Sequence, residues 1–423
     1  MKQTVRHGLG IALSAMAFVC NYSPWVRNAA ALPDALTLSS GQRLVVQTGL
    51  PMRAASAGGA VSVLASQDER VTLSAEAGGQ TSVTFSLLGL IPVHETRVNV
   101  VEARRLIPGG QAVGVALKTR GVLVVSDSAK GRLLRAGDVI LSANGETVES
   151  AKTLGAVIGG AQSDTVRLEV MRAGQTITLE TAASVDAADG RRKLGVWVRD
   201  STAGVGTLTY VDPQTGAYGA LGHAIVDADT GKLLDAREGA ILRANIVGVA
   251  KGQSGRAGEL KGNFLKEGRQ IGSLLENCEY GIYGVMRDAP RSALYPEGLS
   301  VGSRSAVHTG AASIIATVEG DEPQEYGVEI VRCFPQSEPS QKGMVLRVTD
   351  ERLLHRTGGI VQGMSGSPIL QDGRIIGAVT HVYLSDATQG YGMYIEWMLE
   401  KSDALDADCL LYTSPSPRDR SVS

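Results

Sequence analysis

Cysteine is scarce in this chain: four thiols in 423 residues, at 20, 278, 333 and 409. None lies within a few residues of another, so neither a metal knuckle nor a disulfide scaffold can be built from them. Outside the cytoplasm a single Cys278–Cys333 bridge is the one pairing left open, and free thiols are the expectation. Histidine is equally thin at six, and no HExxH or paired-carboxylate spacing occurs, which leaves metal catalysis without ligands and implies no cofactor. A basic surplus is missing too: 41 Lys and Arg stand against 43 Asp and Glu, for a net charge of -2, so a nucleic-acid partner is excluded. Phenylalanine numbers four against 52 glycines, a balance that favours tight turns and short strands over long helices.

The first thirty-one residues carry the only extended apolar run near a terminus. Lys2, Arg6 and His7 precede Leu9–Cys20, and the small residues Ala29-Ala30-Ala31 follow. This is the pattern of an export signal or an uncleaved anchor, with Cys20 an ordinary apolar residue within it. Residues 33–98 read as short strands with no chemistry, among them Leu44–Val46, Val61–Leu64 and Val83–Leu87.

Residues 99–182 change character. Strand Gly121–Val125 leads through Ala136-Gly137-Asp138 to a second strand, and Asn144-Gly145 then signals a type I′ hairpin. A short helix fits residues 150–159, and two strands joined at Ala173-Gly174 follow. The stretches "AGDVILSANGETV" and "TVRLEVMRAGQTITL" together resemble a PDZ domain in its permuted bacterial form. Such a module implies an extended peptide or protein tail as ligand. Val185–Lys193 reads as a linker. Residues 194–400 return to many short strands, whose spacing favours one or two closed antiparallel barrels. Helices are expected at Lys266–Leu274 or near Asp350–Arg356, and at the C-terminal side of Ile395–Glu400.

Chemistry concentrates in Gly363-Met364-Ser365-Gly366-Ser367-Pro368. A serine in a glycine-rich turn can expose its hydroxyl where backbone N–H groups converge, here those of Gly363 and Ser365, to hold a developing oxyanion. The hydroxyl needs a base. Of His223, His308, His355 and His381, His223 is favoured, because it lies in glycine and small apolar surroundings in the first half of the strand-rich region. The orienting acid stays open among Asp350, Asp227 and Asp229 on these grounds alone, with "DADTG" reading first as a turn.

The pattern as a whole resembles the stage IV sporulation protein B peptidases, carried by "LLGLIPV" (87–93), "LIPGGQAVGV" (106–115), "GTLTYVDPQTGAYGALGHAIVDADTG" (206–231), "VTD" (348–350) and "GGIVQGMSGSPILQDGRIIGAVTHVYLSDATQGYGMYIEWML" (358–399). The resemblance implies a mainly β chain, with a PDZ-like domain followed by a trypsin-like double β-barrel serine peptidase. It places the catalytic histidine on His223, the serine on Ser365 and the acid on Asp350. It further implies action outside the cytoplasm, between mother-cell and forespore membranes: self-cleavage, then cleavage of a membrane-bound inhibitor of an intramembrane protease, leading to a late sigma factor. Met364 and Ser367 depart from the trypsin-like Gly-Asp-Ser-Gly-Gly-Pro pattern. A non-catalytic PDZ peptide-binding protein and a general quality-control protease are the competing readings. The ending from residue 409 resembles translated adapter sequence and is given no functional weight.

Overall fold

The computed structural model describes residues 32–67, 69–126, 133–253, 255–263, 270–287 and 294–413. The expected signal or anchor, and the tail beyond 413, lie outside the described residues. The described residues form two compact units, one from those up to Arg105 with Ser300–His308, the other from those of Leu106–Leu299 with those from Thr309 onward.

The first unit is all β. Strands β1 (Ala35–Ser39), β2 (Arg43–Gln47), β3 (Met52–Ser56), β4 (Val61–Gln67), β5 (Arg70–Ala75), β6 (Gly79–Leu87) and β7 (Ile91–Val101) make two sheets, ordered β1-β7-β6-β3 and β2-β5-β4. Alternating residues such as Leu38, Leu73, Val83 and Phe85 point into one shared apolar core.

The second unit begins with β8 (Arg105–Pro108) and the long β9 (Ala112–Val124). The PDZ-like part then runs through β10 (Val139–Ala143), β11 (Glu146–Thr147), α1 (Ala151–Gly159), β12 (Thr165–Arg172), β13 (Gln175–Ala182), β14 (Ser184–Val185) and β15 (Arg192–Lys193). The turn between β10 and β11 puts Asn144 and Gly145 at φ 51° and 84°, the left-handed pair a type I′ hairpin requires. Ser150 caps α1 by accepting the Thr153 N–H, and the helix buries Leu154 and Ile158 against Val166, Leu168 and Val170. Asp138, 1% exposed, is held by a two-bond contact with Arg172 and by the Arg135 N–H. The segment expected as linker closes on itself, β14 pairing with β15.

Beyond it come β16 (Val198–Val211), β17 (Ala217–Ala220), β18 (Ala236–Arg243), β19 (Asn245–Ala250), β20 (Glu259–Asn263), β21 (Gln270–Cys278), β22 (Gly281–Met286) and β23 (Leu299–Val301). Strands β9-β16-β17-β22-β21-β18 pair in that order and β18 returns to β9, which closes a barrel. Val113, Val115, Leu117, Leu208, Ile241 and Ile282 fill it. A second barrel uses β24 (Gly310–Ala316), β25 (Gln324–Cys333), β26 (Met344–Val348), β27 (Pro368–Gln371), β28 (Arg374–Val382) and β29 (Gln389–Tyr394), closing in the order β24-β25-β26-β29-β28-β27. Between β26 and β27 sits α2 (Glu351–Thr357), and α3 (Ile395–Thr413) follows β29. The mainly β class with closed barrels is therefore as expected. The helix expected over Lys266–Leu274 is not: residues from Gln270 form β21, whose place between β18 and β22 in the barrel overrides the local pattern. Cys278 and Cys333 are both free thiols. No helix of the described residues is long and apolar enough to cross a membrane.

Candidate active site

Ser365 is positioned by the loop that joins α2 to β27. Met364 is fully buried, and its carbonyl accepts the Ser367 N–H at 2.9 Å while its own N–H reaches Val361 O at 3.1 Å. Gly366 N–H donates to Val379 O at 2.7 Å, which ties the loop to β28. From the first barrel, Thr207 on β16 clamps both sides of the loop: its N–H donates to Ser365 O at 3.0 Å and its hydroxyl to Gly363 O at 2.7 Å. The hairpin of β19 and β20 adds a third hold, Leu260 N–H donating to Gln362 O at 2.8 Å.

These bonds fix where the remaining N–H groups point. In a planar peptide the N–H lies opposite the preceding carbonyl. With Gln362 O turned to Leu260 and Met364 O to Ser367, the N–H groups of Gly363 and Ser365 have no protein acceptor among the described residues. Gly363 takes φ 96°, which a side chain would resist, and a Cβ there would lie 3.0 Å from that of Leu260. Two unspent donors beside a serine are what an oxyanion site requires.

His223 follows β17 through a turn in which Leu221 and Gly222 both have positive φ, at 70° and 67°. Its Nδ1 lies 2.8 Å from Ala224 O. A carbonyl only accepts, so Nδ1 carries the hydrogen, and in the neutral ring Nε2 is left as the base. Ser365 Oγ donates to Thr380 O at 2.8 Å, so the resting hydroxyl is turned toward β28 rather than bonded to His223. Rotation about its Cα–Cβ bond releases it, a rearrangement common on substrate binding. Both side chains line one cleft of about 740 Å³, with Val205, Leu221, Val361 and His381 among its walls. His381, another of the four candidate histidines, sits with its ring centre 5.3 Å from that of His223.

Burial lowers the His223 pKa below the usual 6.5, opposed by the bond to Ala224 O. His381 is pushed down to about 4 by burial, by His223 and by Lys342. A base works when neutral, so lowering its pKa extends activity toward acid. The acid limb of kcat/KM is expected to have its midpoint below pH 6.5, with His381 adding nothing until far lower pH. Peptide hydrolysis from pH 4 to 8 checks this, and a midpoint at or above 6.5 contradicts the burial of His223.

Asp350 is placed elsewhere. Its carboxylate caps α2 by accepting the Arg352 N–H at 2.9 Å, holds the Arg352 guanidinium and accepts the Gly327 N–H. Arg352 foremost holds its pKa down at about 2. It makes no hydrogen bond to His223, whose far nitrogen is taken by Ala224 O. Asp227 and Asp229 are equally committed: buried Asp227 organises its own turn through Asp229 N–H, Thr230 N–H and the Thr230 hydroxyl, and both aspartates pair with Arg199. The structure thus brings Ser365, His223 and the two donors together, and leaves all three candidate acids outside. Thr207 and Leu260 went unread because a threonine or leucine in a strand carries no chemical signal.

Residues 190–399 match the SpoIVB peptidase S55 family, and residues 99–182 match the PDZ domain. The chain contains a PDZ domain followed by a SpoIVB peptidase S55 domain. That makes it a serine endopeptidase with a mainly β fold. No curated protein matches the chain. Among solved structures, the PDZ domain of the SdrC-like protein from Listeria monocytogenes matches at 23% identity and a TM-score of 0.17, covering 19% of this chain and 87% of that one. The S55 match spans both barrels from β16 onward, whereas β9, which completes the first barrel, precedes it in sequence.

Proposed function

We propose that the protein is a signalling serine endopeptidase in which Ser365 is the nucleophile and His223 the general base. It acts outside the cytoplasm during sporulation, cutting itself and then a membrane-associated regulator, the inhibitor of an intramembrane protease. The observation that carries the chemistry is the pairing, in one cleft, of a histidine with Nε2 free and a serine flanked by two unspent N–H donors. Nε2 takes the Ser365 proton as Oγ attacks a peptide carbonyl, and the N–H groups of Gly363 and Ser365 hold the oxyanion. The imidazolium then protonates the leaving amine, and water frees the acyl-enzyme. Asp350 caps α2 and holds the Gly327 N–H of β25, and whether it also has a part in orienting the imidazole is what the Asp350→Asn variant decides.

Among the described residues, no Asp, Glu, Lys or Arg lines the cleft. Nothing there would offset the cost of burying a substrate charge, so the residues around the scissile bond are neutral and mostly apolar. A non-catalytic binding protein is disfavoured by the intact donor geometry, since a barrel that had lost activity has no reason to keep two amides unpaired.

The test is the fragment pattern of the purified chain over time beside Ser365→Ala. Expected are one or two defined cuts in the parent, and a rate at least about 10⁴-fold lower in the variant. Identical fragments from both would remove Ser365 from the mechanism. Broad degradation of unfolded proteins by the parent would favour quality control over signalling.

A further inference from the structure

The hairpin joining β6 to β7 ends in Leu87-Leu88-Gly89-Leu90-Ile91-Pro92-Val93, and no Asp, Glu, Lys or Arg occurs from Ala77 to His94. Leu88, Leu90, Ile91 and Val93 are 68%, 83%, 62% and 46% exposed, whereas Val83 and Phe85 farther down β6 are fully buried. Consecutive apolar residues occupy both faces of the pleat here, so no single core face accounts for them. The backbone of the turn is already satisfied: the N–H groups of Leu88, Gly89 and Leu90 donate to Pro51 O, Ser86 O and Leu87 O at 3.3, 3.3 and 3.0 Å. Pro92 has no N–H to satisfy. The amino-terminal chain joins the unit beside this hairpin. Pro33 O accepts the Thr96 hydroxyl at 2.8 Å and lies 3.2 Å from His94 Nε2, and β1 then runs parallel to β7, away from the turn. The chain that follows the apolar run Leu9–Cys20 therefore enters at the end carrying the exposed tip. Fully extended, residues 21–32 span about 40 Å, against about 13 Å along β7 from His94 to the turn.

We propose that the hairpin tip, Leu88 to Val93, inserts into the surface of a lipid bilayer, as a membrane contact separate from the amino-terminal segment. Lipid receives apolar side chains from every direction, which suits a projecting tip that is apolar on both faces; a protein groove or sheet would cover one face and leave the other wet. Pro92 bars a further strand from pairing along that stretch of β7. A backbone entering lipid must bring its hydrogen bonds with it, and this turn does. The projecting residues reach about 10 Å, enough to pass the headgroups and meet the acyl boundary. Arg53 on β3 lays its stem against Gly89, which brings a guanidinium to the level of lipid phosphates. Nothing in this inference rests on Ser365 being the nucleophile.

The test uses the full chain as Ser365→Ala, which prevents self-cleavage, with phosphatidylcholine vesicles. In the first arm Leu90→Trp reports depth. Its emission, taken against the same chain without that substitution, should shift to the blue and be quenched about twofold or more by lipids brominated near the top of their acyl chains. An unquenched, water-like emission overturns the proposal. In the second arm Ile11→Asp and Leu13→Asp break the amino-terminal apolar run, so that flotation with vesicles reads the tip alone. Leu90→Asp should then lower partition about tenfold or more, the loss expected from one large aliphatic side chain. Val45→Asp, at an exposed valine of β2, should leave partition unchanged. Equal loss in both variants, or loss in neither, overturns the proposal. Leu90 projects from a turn, so its replacements should leave the core intact, which circular dichroism checks. Self-association that Leu90→Asp abolishes, with no vesicle binding, assigns the tip to a second copy of the chain and likewise overturns the lipid contact.

Discussion

Replacing His223 by alanine is expected to lower kcat by about 10⁴- to 10⁶-fold, with the chain still folded. The size follows from the geometry. The serine hydroxyl rests on Thr380 O and has no other base within the described cleft except His381. His381 is a poor substitute, since its pKa of about 4 makes it a weak proton acceptor during attack. The fold should survive because the His223 side chain bonds only to Ala224 O, in its own turn. Asp350→Asn supplies the contrast. Asn retains the helix cap, and the imidazole keeps the tautomer set by Ala224 O, so kcat should stay within about tenfold of the parent. Single-turnover cleavage of a peptide substrate, with far-UV circular dichroism on each variant, separates the two. A thousandfold loss in Asp350→Asn would return that residue to the catalytic group.

Gly366→Ala is expected to abolish activity and to destabilise the second unit by about 3 kcal/mol or more. Gly366 has φ 96°, and an added Cβ would sit 2.1 Å from Thr207 O and 2.5 Å from Leu221 N. Those are backbone atoms, and the glycine cannot step aside: its N–H is held by Val379 O and its neighbour's carbonyl by Thr207 N–H. Any shift that relieves the clash moves the Ser365 amide, and losing one oxyanion donor alone costs roughly 10²- to 10³-fold. Gly373→Ala is the control. It shares a positive φ, 70°, but nothing lies within 4 Å of its Cβ position, so it should cost about 1 kcal/mol and stay active. Urea unfolding midpoints, together with labelling by a serine-directed fluorophosphonate, measure both effects. Full labelling of Gly366→Ala would mean that the loop tolerates the displacement.

What the sequence makes legible is local. Asn144-Gly145 and Gly174 announce their hairpins because a left-handed turn favours Asn and Gly, and both turns take positive φ, Ala173 included. Ser150 and Asp350 mark helix starts for the same kind of reason, a side-chain oxygen meeting unpaired N–H groups. The Ser365 loop is legible through its glycines. The features that escape are set by chain segments far apart. Thr207 holds Ser365 and Gly363 across more than 150 residues, and nothing in "GTLTYV" distinguishes it from any strand threonine. Asp350 was read as the orienting acid through resemblance, and its commitment to Arg352 and Gly327 emerges only once β25 lies beside the start of α2. The strand at Gln270 was masked by a charged approach that suits a helix, until its barrel neighbours fixed it as β21.

The wiring of β9 has a bearing on how the chain folds. Its residues 113–119 pair with β18 at residues 236–243, while its far end, at Val122 and Leu123, pairs with β10. One strand of the first barrel thus lies within the PDZ match and must wait more than a hundred residues for its partner β18. Contacts of such long sequence separation form slowly, since each must first overcome the entropy of closing the intervening loop. A PDZ domain that condenses early shortens that loop and brings β9 and β16 side by side as a ready-made template. The domain then serves assembly, and cutting it out with β9 would leave the barrel without a staple rather than yield a minimal peptidase.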